Sequence, residues 1–133
     1  MTAGYSGTPL VTKLGLKASQ RVWRVGMPAS VAEEIGETGA VLLEAPTAPI
    51  DLAHIFVTER QALSDALTML HPLLAPSGSI WVSWPKKSAK VATDITEDTI
   101  RDICLPMGLV DVKVCAVDTI WSGLKLMIRR DRR

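Results

Sequence analysis

Two apolar runs, AVLLEA (40–45) and DLAHIFVT (51–58), constrain this chain more than any other feature. Neither alternates polar with apolar residues, so both read as strands covered on both faces, as in a parallel sheet packed by helices. The segment that follows is helical. Thr58-Glu59-Arg60-Gln61 has the form of a capping box, and Leu63, Ala66, Leu67, Leu70 and Leu74 recur on one helix face. Pro72 is expected to kink the helix near its end, and APSG (75–78) to turn the chain into a further strand, SIWVSW (79–84). In that strand Trp81 and Ser83 share one face, Val82 and Trp84 the other.

The flanking segments fit the same scheme. Thr8 and Pro9 open a short helix over LVTKLG that Gly15 closes, and RVWRVGM (21–27) reads as a strand. Pro28, Ala29 and Ser30 end that strand, and VAEEIG is a brief helical turn closed by Gly36. Asp94 with Glu97 marks another helix start, followed by the stripe Ile100, Ile103, Cys104 and Met107. VDVKVCAV (110–117) and LKLMIRR (124–130), joined by DTIWSG, read as an antiparallel hairpin.

The order predicts a Rossmann-like α/β domain, a mostly parallel sheet with a C-terminal antiparallel hairpin and helices on both faces. One joint strains this reading. Only residues 46–50 separate the second and third strands, whereas a parallel crossover takes a dozen or more. Either the 40–45 strand is irregular and at the sheet edge, or an extended stretch carries the chain back.

With 133 residues the chain fills one domain, 1–133, with an N-terminal arm at 1–7 and a basic tail at 129–133. A formal net charge of +1 gives no global attraction to nucleic acid or to a membrane, and no apolar run is long enough to span one. The tail lacks the aromatic-interleaved basic face that nucleic-acid binding uses. The first ten residues carry none of the features of a signal peptide. Cys104 and Cys115 read as small buried hydrophobes in a reduced, cytoplasmic protein.

The segments KLGLKASQRVWRVG (13–26), DLAHIFV and MLHPLLAPSGSIWVSW resemble the first strand, the fourth strand and the helix–turn–fifth strand of the class I S-adenosylmethionine-dependent methyltransferases. SGTPL, WPKK, TEDTIRD and GLVDVKVCAVDTIWSGLKL resemble a family of short bacterial proteins of unknown function. The resemblance implies a truncated methyltransferase fold lacking the third strand and its two flanking helices. It makes S-adenosylmethionine the ligand to consider, and the departures weigh against it. The glycine-rich loop after the first strand is reduced to Gly26-Met27-Pro28-Ala29-Ser30, where proline removes a donor. Arg24 stands where the family has an acidic residue. Glu44 is placed to hold ribose hydroxyls as the family's acidic residue does.

Ligands of open α/β sheets bind beyond the carboxyl ends of the strands, where strand order reverses. In the topology that the resemblance implies, that edge collects Gly26, Met27 and Pro28, then Glu44, Thr58 and Glu59, then Trp84, Pro85, Lys86 and Lys87. Lys86, Lys87 and Lys90 lie ahead of a helix start, a setting for a phosphate or carboxylate, although Asp94 and Glu97 would repel it; the other reading is a solvated loop. Arg24 within an apolar strand needs a partner: an ion pair with Glu44 or Asp51, or a bound anion. Trp23, Trp81, Trp84 and Trp121 read chiefly as core, with Trp84 and Trp121 beside loops. His54 reads as a core histidine and His71 as a helix-end cation, neither at metal-ligand spacing. Ser6, Thr8 and Ser79 have no base nearby for nucleophilic catalysis.

Three functions follow from these residues. The first is a non-catalytic module binding a small ligand or a protein partner. The second is a methyltransferase with an altered cofactor loop. The third is a structural protein that self-associates through its hairpin and exposed tryptophans.

Overall fold

The computed structural model describes residues 8–133; the arm at 1–7, with Ser6, lies outside them. Six strands form one sheet: β1 (Arg21–Val25), β2 (Val41–Leu42), β3 (Ile50–Phe56), β4 (Leu74–Pro85), β5 (Leu109–Ala116) and β6 (Trp121–Ile128). Their order is β2-β1-β3-β4-β6-β5, with β1 to β4 mutually parallel and β6 antiparallel to both β4 and β5. The predicted α/β architecture is therefore the observed one.

Side-chain alternation divides the core into two layers. Ala53, Ile55, Ile80, Val82, Leu124 and Leu126 face α3 (Arg60–Leu70) and α4 (Glu97–Cys104). Val22, Leu52 and Trp81 face α1 (Leu10–Leu14) and α2 (Ala29–Ile35). The stripe read from α3 seats Leu63, Leu67 and Leu70 with no exposed surface, each contributing roughly 1.5–3 kcal/mol relative to exposure. Trp81 is likewise sealed, and its Nε1 donates to the Leu14 carbonyl at 2.9 Å, tying α1 to the middle of the sheet.

The short joint is explained by register. β2 has only two residues, Val41 and Leu42, paired with Arg21 and Val22 at the start of β1. β3 pairs from Leu52 opposite Val22, so the chain leaves β2 close to the level at which β3 begins. The connection therefore has little height to recover. Arg21 holds it from below, donating from Nε to the Pro49 carbonyl at 2.7 Å and from Nη2 to the Thr47 carbonyl at 3.1 Å. The 40–45 run is thus a two-residue edge strand, and Val41 and Leu42 stay about half exposed (49% and 54%). Covering on both faces holds for β3 and fails for β2, because among the described residues none packs outside this edge.

Several local signals resolve differently from their reading. The APSG turn lies inside β4 as an irregularity, with residues 75–78 set against Asp51 alone between the pairs Ile50–Leu74 and Leu52–Ser79. A Cβ on Gly78 would stand 2.6 Å from the Ile50 carbonyl oxygen, so that turn admits only glycine without displacement. Pro72 yields a 3₁₀ turn, His71–Leu73, in place of a kink. Thr8 does not cap α1, whose N-cap is Pro9, while Gly15 closes it as read. The hairpin turn is tighter than DTIWSG because Asp118 Oδ1 accepts from the Ile120 and Trp121 amides at 2.8 and 2.7 Å. The tail folds back: Arg129 donates its amide to the Gly108 carbonyl at 2.9 Å, and Arg133 Nε donates to the Ile128 carbonyl at 2.8 Å.

Candidate functional site

The carboxyl ends of β1, β3 and β4 form the expected rim, but its residues do not converge on one cleft. At the end of β1, Gly26 adopts φ +73°, and a Cβ built on it would lie 3.0 Å from the Phe56 carbonyl oxygen and 3.3 Å from Phe56 Cβ. The space that a glycine leaves bare is filled by the end of β3. Met27 packs partly buried against the core layer under α1 and α2. Pro28 is the N-cap of α2, and its carbonyl accepts from the Val31 and Ala32 amides, each at 3.1 Å. Glu44 lies beyond the end of β2, exposed.

At the end of β3, the N-terminus of α3 is already occupied. Asp94 Oδ1 accepts from the Arg60 amide at 2.6 Å. The Thr58 carbonyl accepts from Thr93 Oγ1 at 2.7 Å and from the Asp94 amide at 3.3 Å. A carboxylate from a distant loop therefore sits where an anionic ligand would find free amides. The Thr58–Gln61 capping box does not form: the N-cap is Glu59, and Gln61 donates to Asp65 Oδ1 at 2.9 Å. Asp94 likewise does not start α4. That cap is Thr96, whose hydroxyl accepts from the Thr99 amide at 3.2 Å while its own amide donates to Thr99 Oγ1 at 3.2 Å.

The end of β4 carries the cavity. About 330 Å³ is enclosed by Trp84, Pro85, Lys86 and Lys87 on one side, by Thr93, Ile95, Thr96 and Glu97 on the other, and by Ser122 of β6. Of the three lysines, Lys86 is fixed to the hairpin turn, donating its amide to the Ile120 carbonyl at 2.8 Å and its Nζ to the Asp118 carbonyl at 2.7 Å. Lys90 lies outside the lining, in left-handed backbone at φ 56°. Lys87 is exposed, and although its carbonyl accepts from the Lys90 amide at 3.1 Å, its side chain makes no hydrogen bond or ion pair among the described residues, which leaves its ammonium as the unpaired cation of the mouth. The repulsion expected from Asp94 and Glu97 is reduced, because Asp94 caps α3 and Glu97 is paired with Arg101 Nη2 at 2.9 Å.

Of the four tryptophans, Trp84 lines this cavity. Trp84 is 6% exposed although it borders the cavity, and none of the four tryptophans is exposed, which corrects the expectation of exposed tryptophans at the hairpin. Trp121 meets Phe56 edge-on with centroids 5.1 Å apart, and Phe56 stacks on His54 at 4.5 Å. His54 is buried and its Nε2 shares a hydrogen bond with Ser83 Oγ at 2.7 Å. Burial, reinforced by the charge of Arg24, pulls its pKa down to about 3 and keeps it neutral. Among the described residues no cluster of three histidine, cysteine or acidic side chains is arranged for a metal ion.

Sequence reasoning set Trp84, Lys86 and Lys87 at one rim with Gly26, Glu44 and Thr58, and of these only the first three line this cavity. It missed Thr93, Ile95 and Ser122, which reach it through the pairing of β4 with β6 and the docking of the 93–97 loop on α3. It also missed Phe56 as the group that closes off Gly26. No local signal marks these contacts.

No protein-family model and no curated protein matches the chain. Solved structures do match. A S-adenosylmethionine-dependent methyltransferase from Aquifex aeolicus superposes with a TM-score of 0.64 at 15% identity, over 90% of this chain and 87% of that one. A ribosomal protein L11 methylase from Lactobacillus delbrueckii subsp. bulgaricus gives 0.59 at 12%, over 91% and 76%. Aeropyrum pernix fibrillarin, solved with natively bound S-adenosyl-L-methionine, gives 0.58 at 14%, over 94% and 71%. At such identities the likeness is one of fold, and the fold is methyltransferase-like.

The residues present do not fit S-adenosylmethionine where the resemblance places it. Gly26 is the one glycine of the loop, and its bare side abuts Phe56. Pro28 offers no amide donor. Arg24 has the wrong charge for the ligand's ammonium.

Proposed function

We propose that this chain is a non-catalytic binding module built on a methyltransferase fold, and that it takes a small anionic ligand in the Trp84–Lys87 cavity. The observation that carries this reading is the separation of two places that a working cofactor cleft would join. At Gly26 the space beside the backbone is taken up by Phe56, whereas the cavity at the end of β4 stays open and presents Lys87. A pocket of about 330 Å³ suits a ligand of nucleotide size or smaller. Trp84, Pro85 and Ile95 supply apolar wall and Lys87 supplies charge, while the Thr93 and Thr96 hydroxyls, bonded to the Thr58 carbonyl and the Thr99 amide, hold the far wall in place. Among the described residues no helix is long and apolar enough to cross a membrane, and both Cys104 and Cys115 are free thiols; a cytoplasmic setting suits them.

Calorimetric titration with S-adenosylmethionine, and NMR titration with adenosine monophosphate as the anionic probe, test the reading. The expected result is no saturable heat with S-adenosylmethionine, and a saturable shift of the Trp84 indole Nε1–H signal with adenosine monophosphate that weakens in Lys87→Ala. Micromolar binding of S-adenosylmethionine, lost in Glu44→Ala and accompanied by methyl transfer, would overturn it in favour of an active methyltransferase.

A further inference from the structure

Arg24 is the one charged residue of β1's interior, and its two expected partners are otherwise disposed. Asp51 Oδ2 accepts from the Arg21 backbone amide at 2.8 Å, and Glu44 makes no ion pair. The Arg24 side chain is partly buried and makes no hydrogen bond or ion pair among the described residues. It lines a cavity of about 360 Å³ enclosed by Ala32 and Gly36 at the end of α2, by the 37–39 loop, and by Ala40 and Leu42 entering β2. Gly36 and Gly39 both hold left-handed backbone, at φ 68° and 76°, which folds the loop around the opening. This cavity shares no residue with the one at Trp84.

A guanidinium carries five donors in a fixed fork, and removing it partly from water without a partner costs free energy that an oxyanion recovers through two parallel charge-assisted bonds. His54, opposite Arg24 in the β1–β3 register, is neutral and adds no competing charge. The one carboxylate lining the cavity, Glu37, stands beyond ion-pair distance from Arg24. We propose that Arg24 is an anion clamp, and that the cavity between β1, the end of α2 and the 36–39 loop binds a small molecule through a carboxylate or phosphate group, with Glu37 as the group it must displace or avoid. The ion pair expected for Arg24 is thus replaced by an intermolecular one.

The test is an NMR titration of the full chain with inorganic phosphate and, separately, with succinate, following the Arg24 Nε–Hε signal and the Gly36 and Gly39 amides. Saturable shifts confined to these groups are expected with at least one probe, and the tighter of the two identifies the oxyanion class. Arg24→Gln should weaken the affinity about tenfold or more, the loss of a bidentate charged pair. Glu37→Gln, which leaves Arg24 in place, should tighten it severalfold by removing a like charge. Absence of saturation with both probes, or shifts that persist unchanged in Arg24→Gln, overturns the proposal. If Arg24→Gln does not fold, Glu37→Gln decides: unchanged or weaker binding, with lowered stability, would mean that Glu37 is the partner of Arg24 after all. Neither variant touches the Trp84 cavity, so failure here leaves the reading of that cavity standing, and the reverse holds.

Discussion

His54 shows how a single side chain sets a pH response. The unfolded chain protonates this imidazole near pH 6.5 and the folded chain near pH 3, because burial and the charge of Arg24 both disfavour the cation. Above pH 6.5 both states are neutral and His54 adds no pH dependence. Between pH 6.5 and about 3 the unfolded state binds more protons, so stability falls as the pH falls. Denaturant melts across this window should therefore show a drop in stability that His54→Gln flattens; parallel curves for the two proteins would contradict it. Ser83→Ala should cost about 1–3 kcal/mol at pH 7, since it leaves a buried ring nitrogen without its partner while changing little volume. The His54–Ser83 bond was not legible in the sequence. Its partners lie on different strands and meet only because the β3–β4 register sets Phe56 opposite Ser83.

At the scale of elements, legibility followed how local the controlling interaction is. The α3 stripe, the apolar character of β3 and the alternation of Trp81 with Val82 are periodic, and periodicity survives into the structure. Caps did not follow their local signals, because tertiary contacts supply them. Asp94 reads as the start of α4, two residues before the real cap, yet its carboxylate serves α3 across the fold. The same non-locality divided the candidate site: Trp84, Lys86 and Lys87 are neighbours in sequence and share a cavity, whereas Gly26, Glu44 and Thr58 belong to separate surroundings. Asp94→Ala should lower stability by about 1 kcal/mol, within the range for N-cap removal, and should raise amide exchange in the first turn of α3 rather than of α4. Faster exchange confined to α4 would restore the local reading.

For the whole molecule, the two open sheet edges decide whether chains can pair, which the self-association reading requires. β2 offers only two residues. β5 is longer and carries Val112 and Val114, exposed at 50% and 55%, beside Lys113. Its register steps from Asp111–Leu126 to Lys113–Lys125, so Val112 is an extra residue that interrupts the ladder. Such a bulge, next to an edge lysine, twists an outer strand away from flat pairing. Deleting Val112 leaves Leu109, Asp111 and Val114 on the face of their present partners, and Val110, Lys113 and Cys115 on the other, so the hairpin retains its packing with a regular edge. Light scattering should then give a monomeric mass for the natural chain and a mass rising with concentration for the deletion. A dimer of the natural chain that the deletion leaves unaltered would show that self-association runs through another surface. If instead the deletion variant folds and stays monomeric, Lys113 alone suffices to protect the edge, and Lys113→Thr in the same background should release the pairing.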